Sequence, residues 1–318
     1  FADLPEPADP TQRGLRFTLL DKSSKEHIWI DARGEGFYSL QLKSRPFGPN
    51  AGNGVAPSLA MLDRFYTKNG LPVDQDPEFD YKNRFSPTVF EVDDINGENE
   101  TQIMNIGREP RYYAWISFHN GYYEFKQKTA YEIRSGDDWW VYREDNLRGE
   151  KGMKVLTQFM RSQSCGIRLR SNNYSPTGFL NKKGIHPASN AGGGGQKDYP
   201  WPVVRLGELY LNYAEAAIES GDLTEGKKYI NLIRERAGIP SLETSWGSIG
   251  VTLDQNKLRE IVRQERMVEM YMEHQNFWDM RRWLLAEKYF DAQPEGNNIM
   301  TDNFNEFATR TKLDGSNV

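Results

Sequence analysis

Residues 205–217 read RLGELYLNYAEAA, and they open the part of the chain whose pattern decides the fold. Apolar side chains recur in this stretch every three or four residues, which is the spacing of one face of an α-helix. The residues on this face are Leu206, Leu209, Tyr210, Tyr213, Ala214 and Ala217. The pattern therefore predicts a helix over residues 203–220 that packs through these side chains.

A second helix is predicted directly after the first, over residues 222–237. Gly221 can adopt the positive φ that ends a helix, and Asp222 with Glu225 has the spacing of a capping box. The inner stripe of the second helix consists of Gly226, Tyr229, Ile230, Ile233 and Ala237. Two antiparallel helices of this kind resemble one tetratricopeptide unit. Because a single unit cannot bury its own faces, a further packing surface is required.

A third helix is predicted from about Leu253, with Thr252 or Asp254 as its cap. Two carboxylates, Glu265 and Glu269, fall on its inner side, and a buried carboxylate has to be paired. The nearby cations are Arg266, Arg281 and Arg282, and we expect structural ion pairs with them rather than a catalytic site. A break is expected at residues 274–276, with Asn276 capping a following helix.

Three blocks of this region together resemble one protein family. Besides residues 205–217, they are residues 231–238, which read NLIRERAG, and the pair formed by residues 265–269, ERMVE, and residues 277–283, FWDMRRW. In this order and spacing they resemble the C-terminal region of the SusD/RagB family of Bacteroidetes outer-membrane nutrient-binding lipoproteins.

The resemblance implies a fold that is mainly α. We expect a SusD-like, tetratricopeptide-like helical hairpin packed with an irregular C-terminal-type subdomain that contains short β-hairpins. Residues 1–318 would form the family's C-terminal domain, with residues 1–200 as irregular, ligand-facing loops and short strands. Residues 201–290 would be the helical signature region and residues 291–318 a tail. The family's N-terminal helical-repeat part would lie outside this chain.

Within residues 1–200, the patterns are local and weaker. Short strands are predicted near residues 17–20 and 28–30, and a helix over residues 56–70. Residues 86–107 predict a β-hairpin that turns at Asn96-Gly97. Residues 191–195 contain a glycine run that predicts a loop.

Composition excludes several classes of function. The chain has 318 residues and a net charge of −5, which argues against nucleic-acid binding, and no apolar run approaches the length of a membrane span. Its one cysteine, Cys165, excludes an internal disulfide. The four histidines lie far apart without ligand spacing, so neither a metal site nor a cofactor is predicted.

The candidate binding residues are aromatic. Sugar rings present apolar C–H faces that stack on indole and phenol rings, while neighbouring polar groups bind the hydroxyls. The densest aromatic cluster supplies Tyr112, Tyr113, Trp139 and Trp140, and Asp138 is the adjacent carboxylate. The competing interpretation is that adjacent tryptophans point to opposite sides and at least one belongs to the core.

The resemblance implies a non-catalytic, surface-exposed glycan-binding component of a nutrient-uptake system in the cell outer membrane. Its partner would be a TonB-dependent, SusC-like transporter, and its only membrane contact would be an N-terminal lipid anchor not present in this chain. Three alternatives remain at this point: peptide capture, a glycoside hydrolase, and a helical-repeat scaffold that binds other proteins. No residue pattern identifies the ligand.

Overall fold

Helices dominate the fold, and the strands are short. The computed structural model describes residues 9–32, 38–46, 52–93, 97–125, 132–135, 138–141, 153–168, 172–187, 189 and 196–313. The helices before residue 200 are α1 (Pro10–Phe17), α2 (Tyr38–Ser44), α3 (Leu59–Leu62) and α4 (Pro110–Trp115). The later helices are α5 (Leu206–Glu219), α6 (Leu223–Ala237), α7 (Leu242–Ser248), α8 (Gln255–Glu269), α9 (Gln275–Arg282), α10 (Ala286–Phe290) and α11 (Phe304–Phe307). None of the described helices is long and apolar enough to cross a membrane.

The strands pair two by two, always antiparallel, within the described part of the chain. The first four are β1 (His27–Asp31), β2 (Pro87–Asp93), β3 (Gly97–Gln102) and β4 (Ile116–Ser117). The next four are β5 (Tyr122–Phe125), β6 (Glu132–Ser135), β7 (Asp138–Val141) and β8 (Met153–Leu156). The last are β9 (Leu180–Asn181), β10 (Trp201–Arg205), β11 (Glu295–Asn297) and β12 (Arg310–Lys312). The pairs are β1–β10, β2–β3, β4–β9, β5–β8, β6–β7 and β11–β12.

Helices α5 and α6 form the predicted antiparallel hairpin, and the predicted cap and glycines are found at the helix ends. The Asp222 side chain accepts a hydrogen bond from the Glu225 N–H at 3.1 Å and begins α6. Gly221 and Gly238 have φ values of 90° and 71°, which an L-residue with a side chain adopts only under strain. The hairpin prediction is thus confirmed at both ends of α6.

The buried face of α5 is rotated from the predicted one. Its buried stripe is Gly207, Leu211, Ala214, Ala217 and Ile218. Leu209 and Tyr213, which we expected to pack inward, are 42% and 50% exposed. The aromatic rings instead pack at the edge of the interface, with the centroids of Tyr213 and Tyr229 4.5 Å apart. The apolar stretch is too wide to fix the rotation of α5 by itself. The buried Arg205 at its start and the contact with α8 are what orient it.

The packing surface that the α5–α6 hairpin requires is supplied by segments before and after it in the sequence. Leu211 and Ile230 share one apolar core with Trp246 of α7 and Leu258 of α8. Tyr66, from the segment after α3, belongs to the same core. Helix α8 has the Asp254 cap that was predicted, through a 2.8 Å hydrogen bond from the Lys257 N–H.

The chain breaks between α8 and α9 over residues 270–274, which overlaps the predicted break at residues 274–276 only at His274. His274, at φ 65°, begins α9. Asn276 lies inside α9, and its amide donates to the Met267 carbonyl at 3.1 Å. The prediction that Asn276 caps this helix was therefore wrong. A helix cap needs non-helical backbone, and the left-handed turn at His274 has already supplied it.

Two predictions in the first half were also wrong. Residues 17–20 do not form a strand, because they end helix α1, which Asp9 caps with a 2.8 Å bond from the Gln12 N–H. The helix expected over residues 56–70 is limited to α3, and the chain then turns through Gly70 at φ 70°. A Cβ at Gly70 would collide with the guanidinium of Arg234, so contact with α6 decides the local structure there.

Other local predictions fared better. Strand β1 contains the predicted stretch 28–30, and β2 with β3 is the predicted hairpin. Its turn, residues 94–96, and the glycine loop at residues 191–195 lie outside the described residues. A second core, which contains Phe65, Trp115 and Phe179, packs the first half against Val268 and Tyr271.

Candidate functional site

The predicted aromatic site is divided between the core and a hairpin. Tyr112 is fully buried, and its hydroxyl donates to the Asn105 side chain at 2.6 Å. No ligand reaches a ring that is enclosed by Phe65 and Phe118, so Tyr112 is not retained as a binding residue. Its position in α4, a helix with one side on the core, is the physical reason.

Tyr113 follows Tyr112 and is only half-buried. Its hydroxyl donates to the Asn105 carbonyl at 3.0 Å, and its ring lies near those of Phe90 and Phe118. These contacts use the phenol group to hold the segment before α4. A ligand could contact only the remaining part of the ring. Binding by Tyr113 therefore stays a prediction, and the contacts of this residue also give it a structural role.

Asp138, Trp139 and Trp140 lie on β7, which pairs with β6 in a two-stranded hairpin. The register places Trp139 opposite Arg134 and Trp140 opposite Ile133. Their side chains lie outside the part of the chain that the structure describes. Their role in binding stays a prediction.

A charged cleft of about 330 Å³ lies where α3 meets the β11–β12 hairpin. Its walls come from residues 59–64, 72–75 and 81–85, with single residues from α8 and the two C-terminal strands. The charged side chains that line it are Asp63, Arg64, Asp74, Arg84, Glu295 and Arg310. Three cations and three anions leave the lining without net charge, and Tyr81 and Phe85 add aromatic rings.

Asp63 and Arg84 form the most loosely bonded pair of this cleft. The Nη2 atom of Arg84 is 3.5 Å from Oδ2 of Asp63, which is the outer limit of a hydrogen bond. Within the described residues, Oδ1 of Asp63 and Nε of Arg84 have no hydrogen-bond partner. Burial raises the pKa of Asp63, and the positive charges of Arg84 and Arg108 oppose that rise only in part.

Aromatic rings hold the Arg84 guanidinium in place. Its central carbon lies 4.0 Å from the Tyr81 ring centroid and 4.6 Å from that of Phe85, and Nη1 donates to the Tyr81 carbonyl at 3.1 Å. The opposite wall is fixed by an ion pair between Arg310 and Glu295. The cleft is therefore preformed, although two polar atoms of its Asp63–Arg84 pair have no hydrogen-bond partner among the described residues.

The carboxylates predicted to face inward do so. Glu265 and Glu269 are buried on α8, at 0% and 1% exposure. Arg111 of α4 reaches both, with its Nη1 atom 2.6 Å from Glu265 and 3.1 Å from Glu269. The Nη1 atom of Arg234 lies 3.5 Å from Glu265. The prediction of buried, paired carboxylates is confirmed.

The predicted partners of these carboxylates were wrong. Arg266 pairs with Asp279 at 2.5 Å, Arg282 pairs with Glu215 at 2.5 Å, and the Arg281 guanidinium lies 4.2 Å from the Phe277 ring centroid. Arg266 is buried as well, but its guanidinium is taken up by Asp279 of α9 and Asn212 of α5. The true partners come from other elements, which local spacing does not reveal.

The same buried cluster continues to Arg205 at the end of β10 and to Arg236 of α6. Arg205 Nη2 lies 2.9 Å from Glu269, and its Nε lies 2.5 Å from Glu273. Arg236 also pairs with Glu269. Burial opposes ionisation of Glu269, but the charges of Arg236, Arg205, Arg111 and Lys183 together hold its pKa below its usual range. We call the connected set the ion-pair network: Glu26, Glu109, Arg111, Lys183, Arg205, Arg234, Arg236, Glu265, Glu269 and Glu273.

Lys183 is the one amine in this network. Its Nζ donates to Glu273 at 2.6 Å and to the Glu269 carbonyl at 2.7 Å, and it lies 3.9 Å from the Trp115 ring centroid. Burial lowers the pKa of Lys183 to about 8, against the opposing effect of Glu273. Although a lowered pKa is typical of catalytic lysines, this side chain is only 3% exposed and no substrate reaches it. Its role is structural.

In the described part of the chain, no three His, Cys, Asp or Glu side chains lie close enough together to hold an ion. His119 is an example of a histidine used for packing. Its Nδ1 atom accepts from the Phe159 N–H at 3.2 Å, and burial lowers its pKa to about 3. It stays neutral at physiological pH.

Several exposed rings escaped prediction. Trp29 on β1 and Trp278 on α9 are 65% and 62% exposed. The helical period contains the signal for Trp278, since Asp279, Met280 and Trp283 are buried and position 278 falls outside that stripe. An exposed ring can stack on a sugar or pack against another protein surface, and exposure alone does not choose between them.

Comparison with solved structures defines the class of protein. The protein BT4246 superposes over 96% of this chain with a TM-score of 0.74 and 31% sequence identity. A SusD-like protein (BF3747) from Bacteroides fragilis NCTC 9343 superposes with a TM-score of 0.64 at 23% identity. The fold is therefore SusD-like and mainly helical, as expected.

The profile of the SusD family matches residues 25–315, so the chain belongs to the SusD family. A SusD-like protein of Bacteroides ovatus is 36% identical over 102 residues, which are 30% of this chain and 16% of that protein. SusD-like protein P2 of Formosa agariphila is 34% identical over 88 residues, 27% of this chain and 17% of that protein. The chain spans 48% of BT4246 and 51% of BF3747. The division at residues 200 and 290 stays a prediction.

Proposed function

We propose that this protein is a non-catalytic glycan-binding component of a nutrient-uptake system at the cell surface. The observation that carries the proposal is the match of residues 25–315 to the SusD family. As the family resemblance implies, the protein would lie on the outer membrane through an N-terminal lipid anchor and cover a TonB-dependent, SusC-like transporter. Binding rather than chemistry is its role in that arrangement.

The buried carboxylates of the ion-pair network are not candidates for catalysis. A glycoside hydrolase needs two carboxyl groups that flank an accessible glycosidic bond. Glu109, Glu265, Glu269 and Glu273 are buried and paired in the ion-pair network, so none of them meets a substrate. The family signature on α8 thus contributes to the fold, as the sequence indicated.

Binding and hydrolysis can be separated in one experiment. The protein is run through native gels that contain neutral and acidic polysaccharides, and the same polysaccharides are incubated with it in solution. We expect retardation in at least one gel and no new reducing ends. New reducing ends would identify a hydrolase, and retention by a peptide library without glycan retardation would identify peptide capture.

The β6–β7 hairpin is the proposed aromatic contact, and Trp139→Ala and Trp140→Ala test it. Stacking of one ring contributes on the order of 1 kcal/mol, so calorimetry should show a loss of about fivefold or more for the ring that contacts the sugar. Phe290→Ala, which removes a 64% exposed ring from α10, is the control. Unchanged affinity in both tryptophan variants would place the aromatic contact elsewhere.

A further inference from the structure

We propose that the cleft between α3 and the β11–β12 hairpin is a second sugar subsite and that it selects neutral glycans. The inference rests on the proposed function, since it names the ligand class and the place where part of the ligand binds. Asp63 and Arg84 would make the hydrogen bonds, and Tyr81 and Phe85 would position Arg84.

Size and charge favour a small neutral ligand. About 330 Å³ lies at the lower end of the range for small-molecule sites, roughly 300–1,000 Å³. The balance of three guanidinium groups and three carboxylates gives no net attraction to an anion or a cation. An acidic sugar would meet Asp63, Asp74 and Glu295 as well as the arginines, and like charges disfavour such a complex.

The loosely bonded pair favours a hydroxyl over other neutral groups. Buried polar groups are nearly always hydrogen-bonded, and leaving such a bond unmade is unfavourable. Asp63 offers an acceptor and Arg84 a donor, and their nearest polar atoms are 3.5 Å apart. One hydroxyl oxygen can donate to the carboxylate and accept from the guanidinium, whereas a peptide unit carries its donor and acceptor on different atoms. A small rotation of the Asp63 carboxylate would bring its unpartnered Oδ1 into this arrangement.

The rest of the cleft is suited to hold this pair in position. The Arg84 guanidinium is fixed between two rings and the Tyr81 carbonyl, so little side-chain entropy remains to be lost on binding. Asp63 lies at the end of α3, where its N–H donates to the Leu59 carbonyl at 2.9 Å. Polar side chains of Gln75 and Gln264 complete the lining. This arrangement is distinct from the β6–β7 hairpin and shares no residue with it.

Calorimetry and NMR on the same protein test the subsite. Neutral oligosaccharides (maltoheptaose, cellohexaose and mannohexaose) are titrated against wild type, Asp63→Asn and Arg84→Lys, with oligogalacturonate as the acidic comparison. Asp291→Asn, an exposed carboxylate outside the cleft, is the matched control. Each cleft variant should lose affinity about tenfold for the neutral glycan that wild type binds, with the melting temperature unchanged. The Arg84 Nε–H resonance of ¹⁵N-arginine-labelled protein, assigned with Arg84→Lys, should shift on addition of the same glycan.

The outcomes separate this inference from the proposed function. Neutral-glycan binding that Asp63→Asn and Arg84→Lys leave intact, with no shift of the Arg84 resonance, overturns the subsite and retains the function. Tighter binding of oligogalacturonate than of the neutral glycans overturns the selectivity. Binding of no glycan by wild type removes the proposed function and the subsite with it, and a peptide that shifts the Arg84 resonance would assign the cleft to peptides.

Discussion

This protein contains two groups of arginine–carboxylate pairs, one buried in the ion-pair network and one lining the open cleft. In the ion-pair network, Arg111 and Arg205 each lie within 3.1 Å of two or more carboxylates, and both are almost completely buried. In the cleft, Arg84 and Asp63 are 3.5 Å apart, with side chains 12% and 25% exposed. The network leaves no room for a ligand, whereas the cleft is open.

The contrast shows that residue type alone does not distinguish structural charges from charges available to a ligand. The number of hydrogen bonds and ion pairs that each charged group makes does distinguish them. A buried charge with several close partners stabilises the native state only as long as every partner remains. A charge with few partners in an open cleft contributes little to the fold and keeps its bonding capacity for something else. The pKa directions do not separate the two groups by themselves, since the arginines and Lys183 lower the pKa of Glu269, whereas burial raises the pKa of both Glu109 in the network and Asp63 in the cleft.

The largest expected loss of stability follows a substitution in the ion-pair network. Glu269→Gln should lower the free energy of unfolding by about 3–5 kcal/mol, because it removes a buried counter-charge that Arg111, Arg205 and Arg236 share. Urea unfolding followed by circular dichroism measures the change. Glu265→Gln should act in the same direction, while Glu260→Gln, on the exposed side of α8, should change stability by no more than about 0.5 kcal/mol.

Correctly folded Glu269→Gln protein should keep the glycan affinity of wild type. A variant with full stability and no binding would place this carboxylate in a ligand site and reverse the comparison between network and cleft.

A buried group with no ionic partner gives an intermediate effect, and His119 is such a group. Its pKa is lowered from 6.5 to about 3, so the folded state resists protonation that the unfolded chain accepts. Its contribution to stability is therefore present above pH 6.5 and is lost as the pH falls toward 3. Between pH 7 and pH 5 the loss from this group amounts to about 2 kcal/mol.

The His119→Asn variant keeps an acceptor for the Phe159 N–H. It should not show the loss of stability between pH 7 and pH 5 that protonation of His119 in the unfolded chain causes. Urea midpoints at pH 7 and pH 5 measure it. His274→Asn is the control, because His274 is exposed and has the positive φ that asparagine tolerates. Equal pH dependence in wild type and His119→Asn would show that His119 is not protonated on unfolding in this range.

The smallest expected effect is in the cleft. Since burial raises the pKa of Asp63, its charged form is less favoured in the folded state than in the unfolded chain. That penalty is absent below the unfolded pKa and present above the folded one. Asp63→Asn should therefore leave stability at pH 7 unchanged or raise it by up to about 0.5 kcal/mol, as measured by urea unfolding. A loss of the size expected for Glu269→Gln would make Asp63 a structural residue.

The helical half could be predicted from the sequence because its signals are local. Periodicity located α5, α6 and α8, and caps at Asp222 and Asp254 fixed their starts within a few residues. The rotation of α5 could not be predicted, because its apolar residues cover more than one face and the contact with α8 decides between them. The inward direction of Glu265 and Glu269 followed from the period, but their partners on α4, α6 and β10 are remote in sequence.

The candidate site was much less predictable. The cleft is assembled from segments near residues 63, 84 and 310, and nothing in any one of them marks the convergence. Aromatic density pointed to Tyr112, which its helix places in the core, and passed over Trp29 and Trp278, which are exposed. The density of aromatic residues in the sequence does not show which rings are exposed, and exposure depends on the face of the helix or strand that each ring occupies.

The ion-pair network joins distant parts of the polypeptide, and this has a consequence for how the molecule comes apart. Arg111 and Lys183 belong to the first 200 residues, and Glu265, Glu269 and Glu273 to the helical region. If the two regions separated, each would carry buried charges without counter-charges. Neither region should persist alone, so unfolding should be one cooperative transition, and a chain cleaved between them should stay associated until that same transition.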